Sequence, residues 1–251
     1  MTRYVVPLRE GGSLPAIVEG DDGFEYVLKF KGAGQGVRAL IAELVGGEIA
    51  RLLGLKVPEL VFADIDEAFG RTEPDEEIQD LLKASTGRNL ALHYLSGAYT
   101  FDPVVTDVDA HLSSKIVWLD AYLMNVDRTR RNTNMLVWHK ELWLIDHGAC
   151  LYFHHNDSDY SGQADRPFSQ IKDHVLLRRA AKLGEVDQEI RERLTEDQLR
   201  GVVALIPDEW LDPYGASFEE QRNAYADFLI RRLTLSEVFV KAAVDARKVL
   251  I

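Results

Sequence analysis

The chain has a single cysteine, Cys150, so no disulfide can form within it. One thiol in 251 residues fits a reducing compartment, and a cytoplasmic location is the expectation. No uninterrupted apolar run approaches the ~18 residues that cross a bilayer, which argues against a spanning helix. The N-terminus, MTRYVVPLREGGS, lacks the apolar core of a secretory signal. Basic residues are in deficit: 29 Lys and Arg stand against 41 Asp and Glu, for a formal net charge of −12. That balance disfavours general binding to nucleic acid or an anionic membrane. It leaves room for a local basic site, and Arg128, Arg130 and Arg131 form one. Internal repeats and low-complexity segments are also missing. With 46% hydrophobic and 28% charged residues, the remainder reads as a soluble globular chain, large enough for one domain or two modest lobes.

What is there centres on residues 118–152, WLDAYLMNVDRTRRNTNMLVWHKELWLIDHGACLY. Two short apolar runs, 135–138 and 142–145, flank the turn His139-Lys140-Glu141, a strand–turn–strand pattern. Asp127 and Asn132 stand just before the first strand, and Asp146 stands just after the second, followed by His147-Gly148. A hairpin brings its outer ends together, so Asp127, Asn132 and Asp146 are expected to converge. Two acids and an amide in one small volume repel or go unsatisfied unless a cation joins them. Hard oxygen donors suit Mg²⁺ bound together with phosphates. The spacing D-x-x-x-x-N, then two strands, then D-x-G resembles the protein-kinase order of catalytic base, metal-binding Asn and metal-binding Asp.

Upstream, residues 4–8, 16–19 and 24–30 read as three strands of a small antiparallel sheet, with Gly20-Asp21-Asp22-Gly23 as a hairpin turn. Gly11, Gly12 and Ser13 lie in the loop before the second strand, where backbone N–H groups can approach phosphates. An ordinary flexible loop is the alternative. Lys29 sits between Leu28 and Phe30 in an apolar strand. A lone strand lysine usually faces solvent, whereas the functional alternative contacts ATP phosphates. Lys31 shares its parity but falls at the strand end, before Gly32. A helix over residues 37–53 follows, ended by Gly54, and it carries Glu43 and Glu48. Glu48 lies close to Arg51 and reads as a solvated charge. Residues 55–63 lead into a strand, the acidic stretch 64–86 reads as surface with a short helix over 75–83, and 89–95 is another strand. Residues 96–99 form a hinge, and backbone groups near Tyr94 and Leu95 are candidates for holding an adenine edge.

Residues 107–124 carry helical spacing, with Asp107 as the expected N-cap. After Tyr152 a polar loop with His154 and His155 occupies the place of a kinase activation segment. Those histidines lack the paired spacing of a zinc site. Helices are then expected over 171–181, 186–194, 195–204, 218–232 and 235–249, with a capping box at Thr195–Gln198.

These pieces resemble the HipA-like kinases, a family within the wider protein-kinase and phosphoinositide-kinase-like fold. Asn125-Val126-Asp127 followed by Asn132 is similar to the family's N-x-D-x-x-x-x-N loop. Leu144-Ile145-Asp146-His147-Gly148 is similar to its metal-binding segment, and Tyr26-Val27-Leu28-Lys29-Phe30 to its ATP-lysine strand. Glu43, followed by Ile49-Ala50-Arg51-Leu52-Leu53-Gly54-Leu55-Lys56-Val57-Pro58, resembles the helix that carries the pairing glutamate and leads into G-L-x-V-P, and this selects Glu43 over Glu48. The match departs at Thr129, where members often have His, and the Gly11-Gly12-Ser13 loop fits loosely. Toxin-type members carry an extra N-terminal subdomain, and the expectation here is a compact member without it.

The resemblance implies an α+β, bilobal protein-kinase-like fold, with a small antiparallel-sheet N-lobe over 1–95 and a mostly helical C-lobe over 96–251. It implies ATP and Mg²⁺, with Lys29 and Glu43 on the phosphates, Asn132 and Asp146 on the metal, and Asp127 as base. A serine/threonine protein kinase, a small-molecule phosphotransferase and a non-catalytic nucleotide-binding protein all share this fold. The complete set of five residues speaks against the last, and the motifs do not separate the first two.

Overall fold

The computed structural model describes residues 1, 3–8, 14–66, 68, 75–155 and 160–251. Gly11, Gly12 and Ser13 lie outside these residues.

Alternation of side chains builds the first sheet. Strands β1 (Arg3–Pro7), β2 (Ala16–Glu19), β3 (Glu25–Lys29), β4 (Leu60–Ile65) and β5 (Gly87–His93) pair antiparallel in the order β1-β2-β3-β5-β4. Ala16, Val18, Tyr26 and Leu28 bury one face, joined by Ala63, Ile65 and Ala91, and Ile78 and Leu82 of α2 (Glu76–Ala84) complete the cluster. Lys29 follows Leu28 and so belongs to the other face.

Helix α1 (Val37–Leu52) is buried almost all round between Leu40 and Ala50 and packs into a second, larger core. Its end is a Schellman motif. Gly54 takes φ 74°, its N–H reaches the Arg51 carbonyl at 2.9 Å, and the Leu55 N–H reaches that of Ala50 at 3.0 Å. The chain then runs beside a three-stranded sheet of β6 (Tyr99–Thr100), β7 (Met135–Trp138) and β8 (Glu141–Leu144). The Leu144 N–H donates to the Lys56 carbonyl at 2.8 Å. The hairpin turn uses two residues, His139 and Lys140, at φ 50° and 65°. Glu141 therefore opens β8, one residue earlier than expected, as two-residue turns with positive φ match strand twist.

The larger core gathers α1, α3 (Ala110–Leu123), α4 (Leu183–Arg193), α5 (Glu196–Ala204), α6 (Phe218–Thr234) and α7 (Ser236–Lys248). Trp118 stacks on Tyr122 and meets Phe239 edge-on. Buried Arg232 donates to the carbonyls of Ala121, Tyr122, Ala164 and Arg166, tying α6 to α3 and to residues 164–166. Two expectations are corrected. Helix α3 starts at Ala110, because Asp109, not Asp107, accepts the His111 and Leu112 N–H groups. Residues 171–181 form no continuous helix. They are two 3-10 turns, Ser169–Asp173 and Leu177–Arg179, interrupted where His174 bridges Thr129. The architecture is the expected α+β arrangement of antiparallel sheets and a mostly helical remainder. No helix among the described residues is long and apolar enough to cross a membrane.

Candidate functional site

Three residues from distant parts of the chain meet at Lys29. Its ammonium lies 2.5 Å from Glu43 Oε2 and 2.6 Å from Asp146 Oδ1. The sheet supplies Lys29, the buried flank of α1 supplies Glu43, and the end of β8 supplies Asp146. The Lys29 and Glu43 side chains are 14% and 0% exposed, whereas Asp146 keeps 44%. Burial alone would push Lys29 down, but the Glu43 and Asp146 carboxylates outweigh it and hold its pKa well above the ordinary lysine value. Burial likewise opposes ionisation of Glu43, and Lys29 and His147 overcome it, leaving the carboxyl well below its usual range. The set is compact and open to solvent on the Asp146 side. Glu48 instead sits 4.0 Å from Arg51.

Asp146 itself takes φ 57°, a left-handed conformation that aspartate and asparagine enter more readily than most non-glycine residues. The next residue, His147, is fully buried against α1. Its Nδ1 lies 3.8 Å from Glu43 Oε1, beyond hydrogen-bond range, and neither ring nitrogen has a hydrogen-bond partner among the described residues. Gly46 makes this packing possible, since a Cβ there would stand 2.8 Å from His147 Cβ.

Asp127 and Asn132 come together as expected. Asn132 Nδ2 donates to Asp127 Oδ2 at 2.8 Å, and Asn134 Nδ2 donates to the same oxygen at 3.1 Å. The loop is closed by the Thr129 N–H on the Asn132 carbonyl, 2.8 Å, which leaves Arg130 and Arg131 exposed at its tip. No direct bond joins Asp127 or Asn132 to Asp146. They are linked through the hairpin base, where the Ile145 N–H donates to the Asn134 carbonyl at 3.1 Å.

Arg128 corrects the reading of Arg128, Arg130 and Arg131 as one local basic site. It is 1% exposed. Nε donates to Asp120 Oδ2 at 2.6 Å, and Nη1 donates to the Asn134 carbonyl and, at 3.4 Å, to that of Ile145. Asp120 is the hub beneath the loop. It also accepts from Asn125 Nδ2 at 2.9 Å, and His174 Nε2 lies 2.8 Å from its Oδ2. His174 Nδ1 accepts the Leu176 N–H, so Nε2 carries the proton that goes to Asp120. Burial pushes the Asp120 carboxyl up, but Arg128, His174 and Asn125 hold it well below its usual range. This network escaped the sequence reading. Asp120 looks like a polar helix position, Arg128 like one of a surface run, and His174 lies far along the chain.

At the proposed hinge, the Tyr94 N–H is taken by the Glu25 carbonyl at 2.9 Å, and the Tyr94 carbonyl accepts from Ser96. The Leu95 carbonyl accepts from Ala98 at 3.0 Å, and the Leu95 N–H has no partner among the described residues. His154 is buried beside Tyr225 and His155. Among the described residues, no group of three or more His, Cys, Asp and Glu side chains could hold a metal ion. A cation at Asp146 would need amide, phosphate or water oxygens as well.

The sequence matches the family model of the HipA-like kinases over residues 2–236. The chain belongs to the HipA-like kinase family. A comparison with curated protein sequences finds no match. Among solved structures, the chain is similar to the Helicobacter pylori proinflammatory kinase CtkA, at 12% identity and a TM-score of 0.56, covering 99% of this chain and 97% of that one. It is also similar to the Golgi casein kinase solved with Mn/ADP bound, at 10% identity and a TM-score of 0.54, covering 96% of this chain and 73% of that one. At such identities the likeness establishes a protein-kinase-like fold.

Proposed function

We propose that this HipA-like kinase uses ATP and Mg²⁺ to transfer the γ-phosphoryl group to a hydroxyl, that of a serine or threonine on a protein acceptor. The observation that carries the reading is Lys29 held between Glu43 and Asp146, 2.5 and 2.6 Å away. A buried cation clamped by two carboxylates, one of them half in solvent, is a site built to exchange a partner. In this reading ATP lies between an N-lobe, residues 1–95, and a C-lobe, residues 96–251. Lys29, kept in place by Glu43, contacts its phosphates. The Leu95 N–H faces the adenine edge.

Asn132 and Asp146 would hold Mg²⁺. Both offer hard oxygen atoms, and the exposure of Asp146 gives an ion room to keep its waters. Bound there, the ion supplies charge neutralisation on the phosphate oxygens. Asp127 accepts the acceptor's hydroxyl proton as its oxygen bonds to the γ-phosphorus, and the bond to the bridging oxygen breaks, releasing ADP. The two amides on Oδ2 leave Oδ1 free for that proton. Positioning and electrostatics supply most of the rate in such transfers.

The test is transfer from labelled ATP to a cell extract with and without Mg²⁺, with Asp127→Asn as control. Label on serine or threonine of protein bands, lost in the variant, is expected. Label confined to metabolites overturns the protein acceptor, and no transfer at all overturns the enzyme.

A further inference from the structure

We propose that Asn134, which no motif of the chain singles out, is a second metal-binding amide of this site. The inference rests on the ATP and Mg²⁺ reading above and extends it to a residue outside the D-x-x-x-x-N spacing. Three observations converge. The first is register. Asn134 directly precedes β7, and its carbonyl accepts the Ile145 N–H at 3.1 Å, one step beyond the Met135–Leu144 pair. Among the amides of the loop, it therefore stands across from the residue adjoining Asp146. Asn132 lies two residues further from the hairpin and is exposed.

The second is orientation. Asp127 Oδ2 is an acceptor, so the amide group turned towards it is Nδ2, at 3.1 Å. Oδ1 then faces away from Asp127. It has no donor among the described residues, and it is not among the sealed, unpartnered atoms of the interior, although the residue is only 8% exposed. A buried amide with its oxygen left open is the hard donor that Mg²⁺ takes beside a carboxylate.

The third is the effort spent on the backbone. Asn134 is held at φ 47°, and its carbonyl also accepts from buried Arg128. Asparagine is among the few residues that enter this region readily. The side chain is thus presented from a fixed, left-handed position, tied to the hairpin and to the Asp120 network at once. Asn132 and Asn134 both turn their amide nitrogens to Asp127 Oδ2, which leaves two amide oxygens to supply the ligands that the lone Asp146 lacks.

The decisive variant is Asn134→Gly, which removes the amide and keeps the left-handed backbone without strain. Binding of ADP is measured by calorimetry with and without Mg²⁺, and binding of Mn²⁺ by paramagnetic resonance, with thermal melting as the control for folding. In Asn134→Gly the metal-dependent part of ADP affinity and the Mn²⁺ affinity should each fall by at least about tenfold. Metal-free ADP binding should stay within about twofold, the melt should stay cooperative, and Asn132→Ala should show a loss of the same kind. Full metal dependence in a folded Asn134→Gly protein overturns the inference and leaves the proposed function standing. Equal ADP binding with and without metal in the wild type overturns both. Should the glycine variant fail to fold, Asn134→Ser serves in its place under the same outcomes, since its shorter side chain reaches neither Asp127 nor the metal.

Discussion

Arg128 and Asp120 form an ion pair, Nε to Oδ2 at 2.6 Å, in which neither side chain reaches solvent. Removing one partner strands the other charge in the interior, which costs about 3–5 kcal/mol. Arg128→Ala should therefore lower unfolding free energy by about that amount in urea titrations. Arg130→Ala and Arg131→Ala, on the exposed tip of the same loop, should stay within about 0.5 kcal/mol of wild type. Equal effects across the three arginines would contradict the buried assignment.

The Lys29–Glu43 pair makes a pH prediction whose sign follows from its two shifts. Glu43 has a depressed folded pKa, so its stabilisation is present above the unfolded value, about 4.3, and is lost as pH falls through the folded value. Lys29 has a raised folded pKa, so its contribution is present below the unfolded value, about 10.4, and is lost as pH rises through the folded one. Both contributions are complete between about pH 5 and 10. Glu43→Gln should be less stable than wild type in that window, and the two stability curves should converge below about pH 4. A difference independent of pH would show that Glu43 is not held ionised by Lys29.

Gly46 is a test of how closely α1 rests on His147. Alanine at this interior helix position would ordinarily gain about 1 kcal/mol. Here its Cβ would meet His147 Cβ at 2.8 Å and Cγ at 3.2 Å, and a Cβ is anchored to the backbone and has no rotamer to escape into. Overpacking of about 1–3 kcal/mol should win. Because Gly46 stands three residues from Glu43, on the same helix face, the displaced helix should also lengthen the Lys29 contact. Gly46→Ala should melt lower and lose transfer activity beyond what the loss of folded protein explains. An unchanged melt would mean that α1 moves freely over His147.

How much of this was legible depends on where each signal is stored. The β7–β8 hairpin was readable because strand alternation and turn residues are local, and so was the Thr195–Gln198 capping box, which the structure contains. Lys29, Glu43 and Asp146 were found by motif order, and the structure brings them into contact. The Arg128 network was not readable, since its meaning lies in partners 8 residues before and, through Asp120, at His174. The same contact explains the missing helix at 171–181: the His174 tie to Asp120 and the Val175 N–H on the Arg128 carbonyl, 3.2 Å, replace helical bonds there. Helical periodicity over those residues reflects burial of Ile171, Val175 and Leu176, which 3-10 turns achieve equally well.

The assigned division of labour between Asp127 and Asp146 can be separated by binding and turnover. Asp127→Asn keeps an oxygen that can accept from Asn132 and Asn134, so the loop should hold and nucleotide affinity should stay within about twofold. Loss of the proposed base should cut transfer by about 10²–10⁴. At Asp146 asparagine is also the substitution of choice, because it tolerates the φ of 57°. The side chain is 44% exposed and Lys29 keeps Glu43, so stability should change little. What Asp146→Asn should lose is the Mg²⁺-dependent part of ADP binding, read by calorimetry with and without the ion. If Asp127→Asn loses that binding and Asp146→Asn retains it, the two roles are exchanged, and the carboxylate beside Lys29 acts on the acceptor rather than on the metal.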